Sequence, residues 1–503
     1  MKDSWFNKKV EEITVDDSKT QPQEKTPIDR DMQKNVLYFK QCLGEAFDVK
    51  YRGCTVSGKE LTFVMLDGMC DNLLITEQIM LPILDSDLSG EDGAKVLYKA
   101  ADEVTASIDK AIINNLDKAV MDMIAGNLIM MAQDSEFIIA FGVQKFPKRN
   151  PEEPNTESQE RGSREGFVEN YKDNVAMIRR RIRNPVLKIK SLEIGTTSKT
   201  PVCVCYMSDR ANDKMLQDVL ERIKSAELDT VIGSGYLQPF VDHKKPSIFT
   251  CVGTTERPDV FVSKLGEGKI GIIVDGTPDA LIVPYLFIEH FHSLDDYLKK
   301  PYYATFVRVL KMISFMFSVF LPGLYVAICT FHQEMIPETM IFGIAGQESK
   351  TPLPMMAEAL LIHLVYEIVR EAGLRMPKTV GHAVSIVGAL VIGESAVTAG
   401  IVAAPMIIVV GLTAVSSFVV SSLYEPVAIL RFAFIIIGGV AGFYGIMLCF
   451  AAVLVNMASL SPYDIPFTSP MSPTKIGAWR DMLIRASWLN MGKRRMQIDK
   501  MRK

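Results

Sequence analysis

Glu358, His363, Glu367 and Glu394 are ionisable residues within the strongly apolar second half of the chain. A charge at the centre of a bilayer costs about 2.5 to 3.5 kcal/mol even on lenient insertion scales, so it persists only with a partner or water. We therefore take these four residues as pore or gating candidates. His363 and Glu367 share a helical face, whereas Glu358 lies roughly opposite Glu367. A helix end that pairs with Arg370 explains the same charges without a pore.

Two other motifs suggest phosphate chemistry, but the sequence argues against both. Residues 53–60 (Gly-Cys-Thr-Val-Ser-Gly-Lys-Glu) approach a phosphate-binding loop, yet Glu60 stands where a magnesium-binding Ser or Thr is required and would repel phosphate. Asp275-Gly276 lies between two apolar runs, a pattern typical of a hairpin turn rather than of a phosphorylated aspartate. We expect no nucleotide site.

The histidines and cysteines do not form a recognisable catalytic or metal-binding pattern. His290 and His292 flank Phe291 and have no nearby cysteine to complete a metal set. The eight cysteines lack paired CxxC spacing, so reduced, buried thiols are expected. The chain contains no GxSxG or HExxH motif. We predict no enzyme activity, no cofactor and no metal.

The elements that position the charged candidates fall into two halves of different composition. With 503 residues and 48% hydrophobic content, the chain needs at least two packed units. The net charge of −4 gives no basic field for nucleic acid, which we exclude as a partner. Up to about residue 300 the apolar residues come in short bursts, and beyond it they come in long runs.

The long apolar runs predict membrane-spanning helices. Residues 312–330, 397–420 and 432–457 are long enough to cross the ~30 Å hydrocarbon layer. Residues 353–369 are also long enough but carry the charges above, and residues 380–392 are apolar but short. We expect four spans plus one re-entrant segment rather than six spans.

Basic residues indicate the orientation of the spans. Arg370, Arg375 and Lys378 follow the second span, and the tail beyond Pro470 is rich in Lys and Arg. The amino terminus has no apolar segment that could act as a signal peptide. Both the N-terminal region and the C-terminal tail are therefore expected in the cytoplasm.

The predicted fold class is α+β: a cytoplasmic N-terminal region of two α/β subdomains, followed by an α-helical transmembrane domain. Strands are predicted at residues 61–66, 137–143, 202–206 and 270–274, and helices at 103–130, 171–183 and 213–225. The domains are a disordered tail at 1–35, subdomain 1 at 36–146, a linker at 147–165, subdomain 2 at 166–300, the transmembrane domain at 301–460 and a basic tail at 461–503.

Several long motifs, in order, resemble the GerA family of spore germination receptors, in its A subunits. Residues 253–259 contain Thr255, Glu256, Arg257, Pro258 and Asp259, and residues 272–278 contain Asp275 and Gly276. Residues 161–167 (Arg-Gly-Ser-Arg-Glu-Gly-Phe), 330–337, 370–377 and 385–393 are similarly close to family motifs. The similarity extends over roughly residues 36–493.

The resemblance implies a multi-pass subunit of a nutrient germinant receptor in the spore inner membrane. A subunits of this family oligomerise, as homo-pentamers, into a ligand-gated ion channel that triggers germination. Their partners are a transporter-like B subunit, which is thought to bind the nutrient, and a lipoprotein C subunit, in addition to membrane lipid. The linker arginines are then candidates for contacts between subunits: Arg161, Arg164, Arg179 and Arg181.

The chain departs from the family pattern in places, and alternatives stay open. Ser163 replaces the Pro of the linker motif, and Glu348-Ser349-Lys350-Thr351 replaces Arg-Glu-Gly-Val in the loop after the first span. Ion preference and partner contacts in that loop therefore do not carry over. An accessory germination channel or scaffold of the same family is one alternative. A membrane transporter with a regulatory domain is another, although the sequence shows no duplicated halves.

Overall fold

The computed structural model describes residues 26–44, 46–87, 92–105, 109–145, 162–376, 393–472 and 481–487. The chain divides into two compact units. The first comprises Met1–Pro151, Val168–Leu192 and Cys203–Ser208, and the second comprises Glu152–Phe167, Glu193–Val202 and Asp209–Lys503. The segment Val168–Leu192 thus groups with the first unit, whereas the sequence placed it in subdomain 2. The predicted re-entrant segment at 380–392 and most of the linker lie outside the described residues.

The first unit contains a five-stranded sheet with the order β1-β2-β4-β5-β3. Its strands are β1 (Val49–Val56), β2 (Lys59–Leu66), β3 (Lys110–Ile113), β4 (Leu128–Ala132) and β5 (Ile138–Phe141). The predicted strands at 61–66 and 137–143 are confirmed. All four pairings in this sheet are antiparallel, so the unit is built from hairpins and not from parallel βαβ crossovers.

Helices cover both faces of this sheet. They are α1 (Met32–Leu43), α2 (Asn72–Leu74, continued by a π-helix at Ile75–Met80), α3 (Leu81–Asp85), α4 (Gly93–Lys99), α5 (Leu116–Ile124) and α6 (Tyr171–Arg181). Alternate strand residues enter two separate cores: Val64 and Leu66 pack with α1 and α5, and Leu61 and Phe63 pack with α3 and α4. Helix α1 begins at Met32 behind its N-cap Asp31, so folded structure starts before the predicted boundary at 36.

The segment that approaches a phosphate-binding loop forms an antiparallel hairpin. Val56 at the end of β1 pairs with Lys59 at the start of β2. Between them, Ser57 and Gly58 have φ values of 50° and 80°, as a two-residue hairpin turn requires. A phosphate-binding loop would instead lead from a strand into a helix, so the geometry here does not fit a nucleotide.

The prediction of a continuous helix over residues 103–130 was wrong. The chain there forms β3, then α5, then β4. Asn115 caps α5 by accepting hydrogen bonds from the backbone N–H groups of Asp117 and Lys118, and Gly126 has a φ of 98° just beyond the helix. The spacing of apolar residues did not reveal that residues 110–113 form a strand, because the structure of β3 depends on its pairing with the distant strand β5.

The region after α6 contains a second five-stranded sheet, with the order β6-β7-β9-β10-β8. Its strands are β6 (Leu187–Ile194), β7 (Thr200–Met207), β8 (Gly253–Thr255), β9 (Ile270–Val274) and β10 (Ala280–Val283), and its helices are α7 (Asp213–Lys224), α8 (Ser234–Val241), α9 (Pro258–Gly266) and α10 (Asp295–Leu298). The strands predicted at 202–206 and 270–274 and the helices predicted at 171–183 and 213–225 are confirmed. Asp275-Gly276 lies in the turn of the antiparallel β9–β10 hairpin, and Gly276 has a φ of 91°.

Among its described residues, the second unit continues into the helices α11 (Pro301–Phe331), α12 (Glu338–Glu348), α13 (Met355–Arg375), α14 (Ala404–Val419) and α15 (Tyr424–Ser459), and residues 393–398 are also helical. Within the described part of the chain, two helical segments are by length and composition apolar enough to cross a membrane, Pro301–Phe331 and Ser421–Ser459. Helix α14 is apolar but has only 16 residues, and α13 has 21 residues with several charges.

Glycines allow α11 and α15 to approach closely. A Cβ atom on Gly438 would lie 2.5 Å from the carbonyl oxygen of Gly323, so the two backbones are nearly in contact. Helix α15 is also interrupted at Gly442, where φ is 61° and ψ is −150°. A side chain is disfavoured at this backbone conformation, and the break divides α15 into two helical halves.

Candidate functional site

The centre of the charged cluster in the helical region is the ion pair between Glu367 of α13 and Arg431 of α15. Arg431 Nη1 donates to Glu367 Oε1 at 3.0 Å, and Arg431 Nε donates to the backbone carbonyl of Ser318 on α11 at 3.1 Å. The Arg431 side chain is 0% exposed and that of Glu367 is 20% exposed. Three helices are therefore joined through one buried guanidinium.

Two further residues complete the surroundings of Glu367. The hydroxyl of Tyr424, at the start of α15, donates to Glu367 Oε2. Arg370 lies over the Tyr424 ring, and its Nη1 is 3.9 Å from Glu367 Oε2. The predicted pairing with Arg370 is thus present but long, and Arg431 makes the shorter ion pair. Arg431 Nη2 has no hydrogen-bond partner among the described residues, so a donor stays available to a ligand or water.

Two further buried polar residues of α13 are Glu358 in its first turn and His363 near its middle. Both side chains are 0% exposed. Glu358 Oε1 accepts a hydrogen bond from the backbone N–H of Ala403, the N-cap of α14, at 2.6 Å. A carboxylate here favourably meets the positive end of the α14 dipole. His363 Nδ1 lies 2.8 Å from the Ala359 carbonyl oxygen, and neither Glu358 Oε2 nor His363 Nε2 has a partner within the described part of the chain.

The fourth candidate, Glu394, is placed differently. Its side chain is exposed, and its backbone carbonyl accepts a hydrogen bond from the Thr398 hydroxyl at 2.8 Å. Within the described ranges it forms no ion pair with the other three candidates. The structure therefore places Glu358, His363 and Glu367 along α13, each with different partners, and leaves Glu394 apart.

A further buried cluster lies at the base of α11 and was missed in the sequence. Arg308 Nε donates to Asp296 Oδ2 at 3.0 Å, and Arg308 Nη1 donates to Asp481 Oδ1 at 3.1 Å. All three side chains are 5% exposed or less. Tyr297 donates through its hydroxyl to Asp481 Oδ2 at 2.7 Å, and Arg485 Nη2 donates to the Tyr297 carbonyl at 3.1 Å. This Arg308 cluster fixes the segment 481–487 against the first turns of α11.

A third group of buried charges lies under the α9 helix. Lys264 Nζ donates to Glu289 Oε1 at 2.6 Å and to Glu267 Oε2 at 3.2 Å, and Lys269 also donates to Glu289. Burial alone would raise the pKa of Glu289, but the two lysines outweigh it and hold the pKa well below 4.5. Burial lowers the pKa of Lys269 to about 8 in spite of the Glu289 carboxylate. Lys264, Lys269 and Glu289 pair with one another inside the fold, which indicates a structural role.

The sequence as a whole has clear relatives. A family model described as "Bacillus/Clostridium GerA spore germination protein" matches residues 37–497. Spore germination protein KA of Bacillus subtilis (strain 168) is 35% identical over 480 residues, which cover 94% of this chain and 88% of the relative. Spore germination protein B1 of the same organism is 31% identical over 479 residues, covering 94% and 98% of the two chains.

The chain belongs to the GerA family. This family is described as one of spore germination proteins and not as a class of enzymes. Among solved structures, the N-terminal domain of the A subunit of the Bacillus megaterium spore germinant receptor GerK3 aligns with a TM-score of 0.42 and 25% identity. That alignment covers 52% of this chain and 98% of the solved domain.

The GerA motif residues lie in and around the second sheet. Thr255 ends β8 and accepts a hydrogen bond from the backbone N–H of Arg257 at 3.1 Å. Pro258 opens α9, and Asp259 in its first turn pairs with Arg257 at 2.6 Å. Glu256 accepts a hydrogen bond through its backbone carbonyl from the N–H of Phe167 at 2.7 Å. These contacts position α9 against the sheet, so the motif shapes the fold.

The linker arginines of the GerA motif occupy different environments. Arg161 lies outside the described residues. Arg179 is 1% exposed and forms a two-point ion pair with Asp48 inside the first unit, at 2.8 and 3.1 Å, so its side chain is not at a surface. Arg181 donates to the Met177 carbonyl at 3.2 Å on its own helix, and Arg164 is exposed. A contact between subunits through Arg164 or Arg181 stays a prediction.

His290 and His292 predict how the stability of this GerA protein depends on pH. Burial lowers the pKa of His290 to about 4 and that of His292 to about 3, in the latter case aided by Arg308. In the unfolded chain both titrate near pH 6.5, so below that pH the unfolded state binds protons first and stability falls as the pH falls. His292 alone is expected to contribute a loss of about 2 kcal/mol between pH 7 and pH 5.

The variant His292→Gln tests this, because an amide N–H can replace the donor that His292 Nε2 directs to the Met482 carbonyl at 2.7 Å. Thermal unfolding of the detergent-solubilised protein at pH 7 and pH 5 should show a smaller difference for the variant. An equal difference in both proteins would show that His292 does not titrate in this range.

Proposed function

We propose that this protein is the A subunit of a nutrient germinant receptor in the spore membrane and that it oligomerises into a ligand-gated ion channel. The observation that carries the proposal is the Glu367–Arg431 pair, in which Arg431 is buried within the strongly apolar helix α15 and meets a carboxylate of α13. Charged groups at such positions are rare and mark ion pathways or gates in membrane proteins. Membership in the GerA family supports the role in germination.

In the proposed arrangement, the helical region crosses the membrane several times. Helices α11, α13, α14 and α15 are the four spans of this proposal, and the predicted re-entrant segment at 380–392 lies outside the described residues. The 21 residues of α13 extend about 31 Å, which matches the hydrocarbon thickness. The soluble N-terminal region and the basic C-terminal tail then face the cytoplasm, as the positively charged residues near the spans favour.

The proposed assembly is a homo-pentamer that acts with a transporter-like B subunit and a lipoprotein C subunit. A helix interrupted at midspan, such as α15 at Gly442, is a common feature of ion-binding membrane proteins because it frees backbone groups inside the protein. Arg164 and Arg181 are candidates for contacts between neighbouring subunits. The contacts that join three helices through Arg431 provide the element whose rearrangement would open the pathway.

Gating in this proposal is a shift between two states of the helices. Nutrient binding to the B subunit can shift that equilibrium only by its difference in affinity for the two states. The Arg308 cluster at the base of α11 would restrain the closed state, because movement of α11 must break buried ion pairs with Asp296 and Asp481.

Ion flux across liposomes that contain the purified full-length protein tests the channel. We expect Glu367→Gln to change the rate or the ion selectivity of flux at least several-fold, because it removes the acidic partner of Arg431. The matched control is Glu371→Gln on the same helix, where the carboxylate is 55% exposed and pairs with Arg375 on the surface. Its flux should equal that of the native protein.

Two results would contradict the proposal. Equal flux through the native protein and Glu367→Gln would remove Glu367 from the pathway. A membrane-inserted oligomer that conducts no ion, even after the B and C subunits are added, would exclude a channel formed by this subunit.

A further inference from the structure

A loop between α8 and β8 brings together three side chains that commonly bind metal ions. Asp242, His243 and Cys251 each offer one donor atom, and these atoms all lie within 4.8 Å of one another. The three donors are a carboxylate oxygen, an imidazole nitrogen and a thiol sulfur. The sequence analysis did not find this group, because the cysteine is eight positions away and no CxxC or HxxxH spacing marks it.

The donors converge because the loop folds back on Asp242. Asp242 Oδ1 accepts the backbone N–H of Cys251 at 2.9 Å, and Oδ2 accepts the hydroxyl of Thr250 at 2.7 Å. His243 Nε2 lies 3.8 Å from Asp242 Oδ1 and 2.7 Å from the Phe249 carbonyl oxygen. A separation of 3.8 Å suits two ligands bound to one ion at about 2.0 to 2.2 Å each.

The three donors differ in their exposure to solvent. The Asp242 and His243 side chains are 15% and 10% exposed, whereas Cys251 is 1% exposed. His243 Nδ1 is buried and has no hydrogen-bond partner among the described residues. Burial, together with the Asp242 carboxylate, raises the pKa of the Cys251 thiol, so a bound ion would have to displace its proton.

We propose that Asp242, His243 and Cys251 form a binding site for a divalent transition-metal ion of the zinc class. Mixed sulfur, nitrogen and oxygen donors suit Zn²⁺ and exclude Mg²⁺ and Ca²⁺, which prefer oxygen ligands alone. To bind the ion, His243 Nε2 would give up its proton and its hydrogen bond to the Phe249 carbonyl oxygen, and a water molecule would occupy the fourth position. Displacement of the Cys251 proton makes binding stronger as the pH rises.

The position of the loop gives the site a consequence for the helical region. Between its ligands, the loop contacts the end of α15: Lys245 Nζ donates to the Ser459 carbonyl at 2.5 Å, and the Ser247 hydroxyl donates to Asn456 Oδ1 at 2.7 Å. Asn456 Nδ2 in turn donates to the Pro246 carbonyl at 3.1 Å. A metal ion that fixes both ends of this loop therefore stiffens its attachment to α15.

The test is metal binding by the full-length protein in detergent. After incubation with Co²⁺ or Zn²⁺ and dialysis, we expect about one tightly held ion per chain and, with Co²⁺, a thiolate-to-metal charge-transfer absorption band. The variants Cys251→Ser and His243→Gln should lose at least tenfold in affinity, and Cys251→Ser should lose the band. Added Zn²⁺ should raise the melting temperature of the native protein and leave that of Cys251→Ser unchanged.

Cys54→Ser is the matched control, since it removes a half-buried thiol from β1 and leaves the loop intact. It should bind the ion and show the charge-transfer band as the native protein does. The proposal is overturned if the native protein and Cys251→Ser bind the same amount of metal, or if neither retains an ion after dialysis while both melt cooperatively.

Discussion

The substitution Glu367→Gln is expected to lower the free energy of unfolding of the helical region by about 3 to 5 kcal/mol. It leaves the Arg431 guanidinium 0% exposed, with the Ser318 carbonyl as an acceptor but without a counter-charge. An unpaired charge in apolar surroundings costs more than the ion pair itself contributes. Thermal or denaturant unfolding in detergent measures the loss.

The double variant Glu367→Gln with Arg431→Met separates the cost of an orphaned charge from the value of the pair. It removes both charges and is expected to recover most of the lost stability, because apolar replacement of a buried pair is often neutral. The surface control Glu371→Gln should change stability by less than about 1 kcal/mol. If Glu367→Gln is as stable as that control, Arg431 is not buried in solution as it is in the structure.

Patterns in the sequence were sufficient for much of the fold. The β9–β10 hairpin could be predicted because two apolar runs flank Asp275-Gly276, and the strand and helix at β7 and α7 follow from local spacing. Antiparallel pairing of the first sheet could not be predicted, since strand order depends on contacts between distant segments. The helix predicted over 103–130 failed for the same reason.

The charges of α13 could be recognised as unusual, but their partners could not. The last predicted span began at residue 432, directly after Arg431, because a charge commonly marks the end of an apolar run. In the structure α15 begins at Tyr424, and Arg431 is buried within it. Pairing with Glu367, 64 residues away in the sequence, offsets the free-energy cost of burying the Arg431 charge. No local sequence pattern shows which distant residue will be the partner.

The substitution Arg308→Met is expected to have the second large effect, on both stability and resting ion leak. It leaves the carboxylates of Asp296 and Asp481 buried, at 3% and 5% exposed, without their shared cation. Loss of one partner from such a cluster costs about 3 to 5 kcal/mol. Asp481 lies 173 positions from Arg308 in the sequence, and the ion pair between them holds the segment 481–487 against the first turns of α11. Loss of Arg308 therefore also weakens the attachment of that segment.

If the Arg308 cluster restrains the closed state, Arg308→Met should raise ion flux through liposomes in the absence of nutrient and partner subunits. Arg375→Met is the control, since its guanidinium is 79% exposed and its loss should change neither stability nor flux measurably. Asp481→Asn should also lower stability and raise resting ion flux, but by less than Arg308→Met, because Asp296 still neutralises Arg308. A destabilised Arg308→Met protein with unchanged resting flux would assign the cluster to folding alone and place the gate elsewhere along the helices.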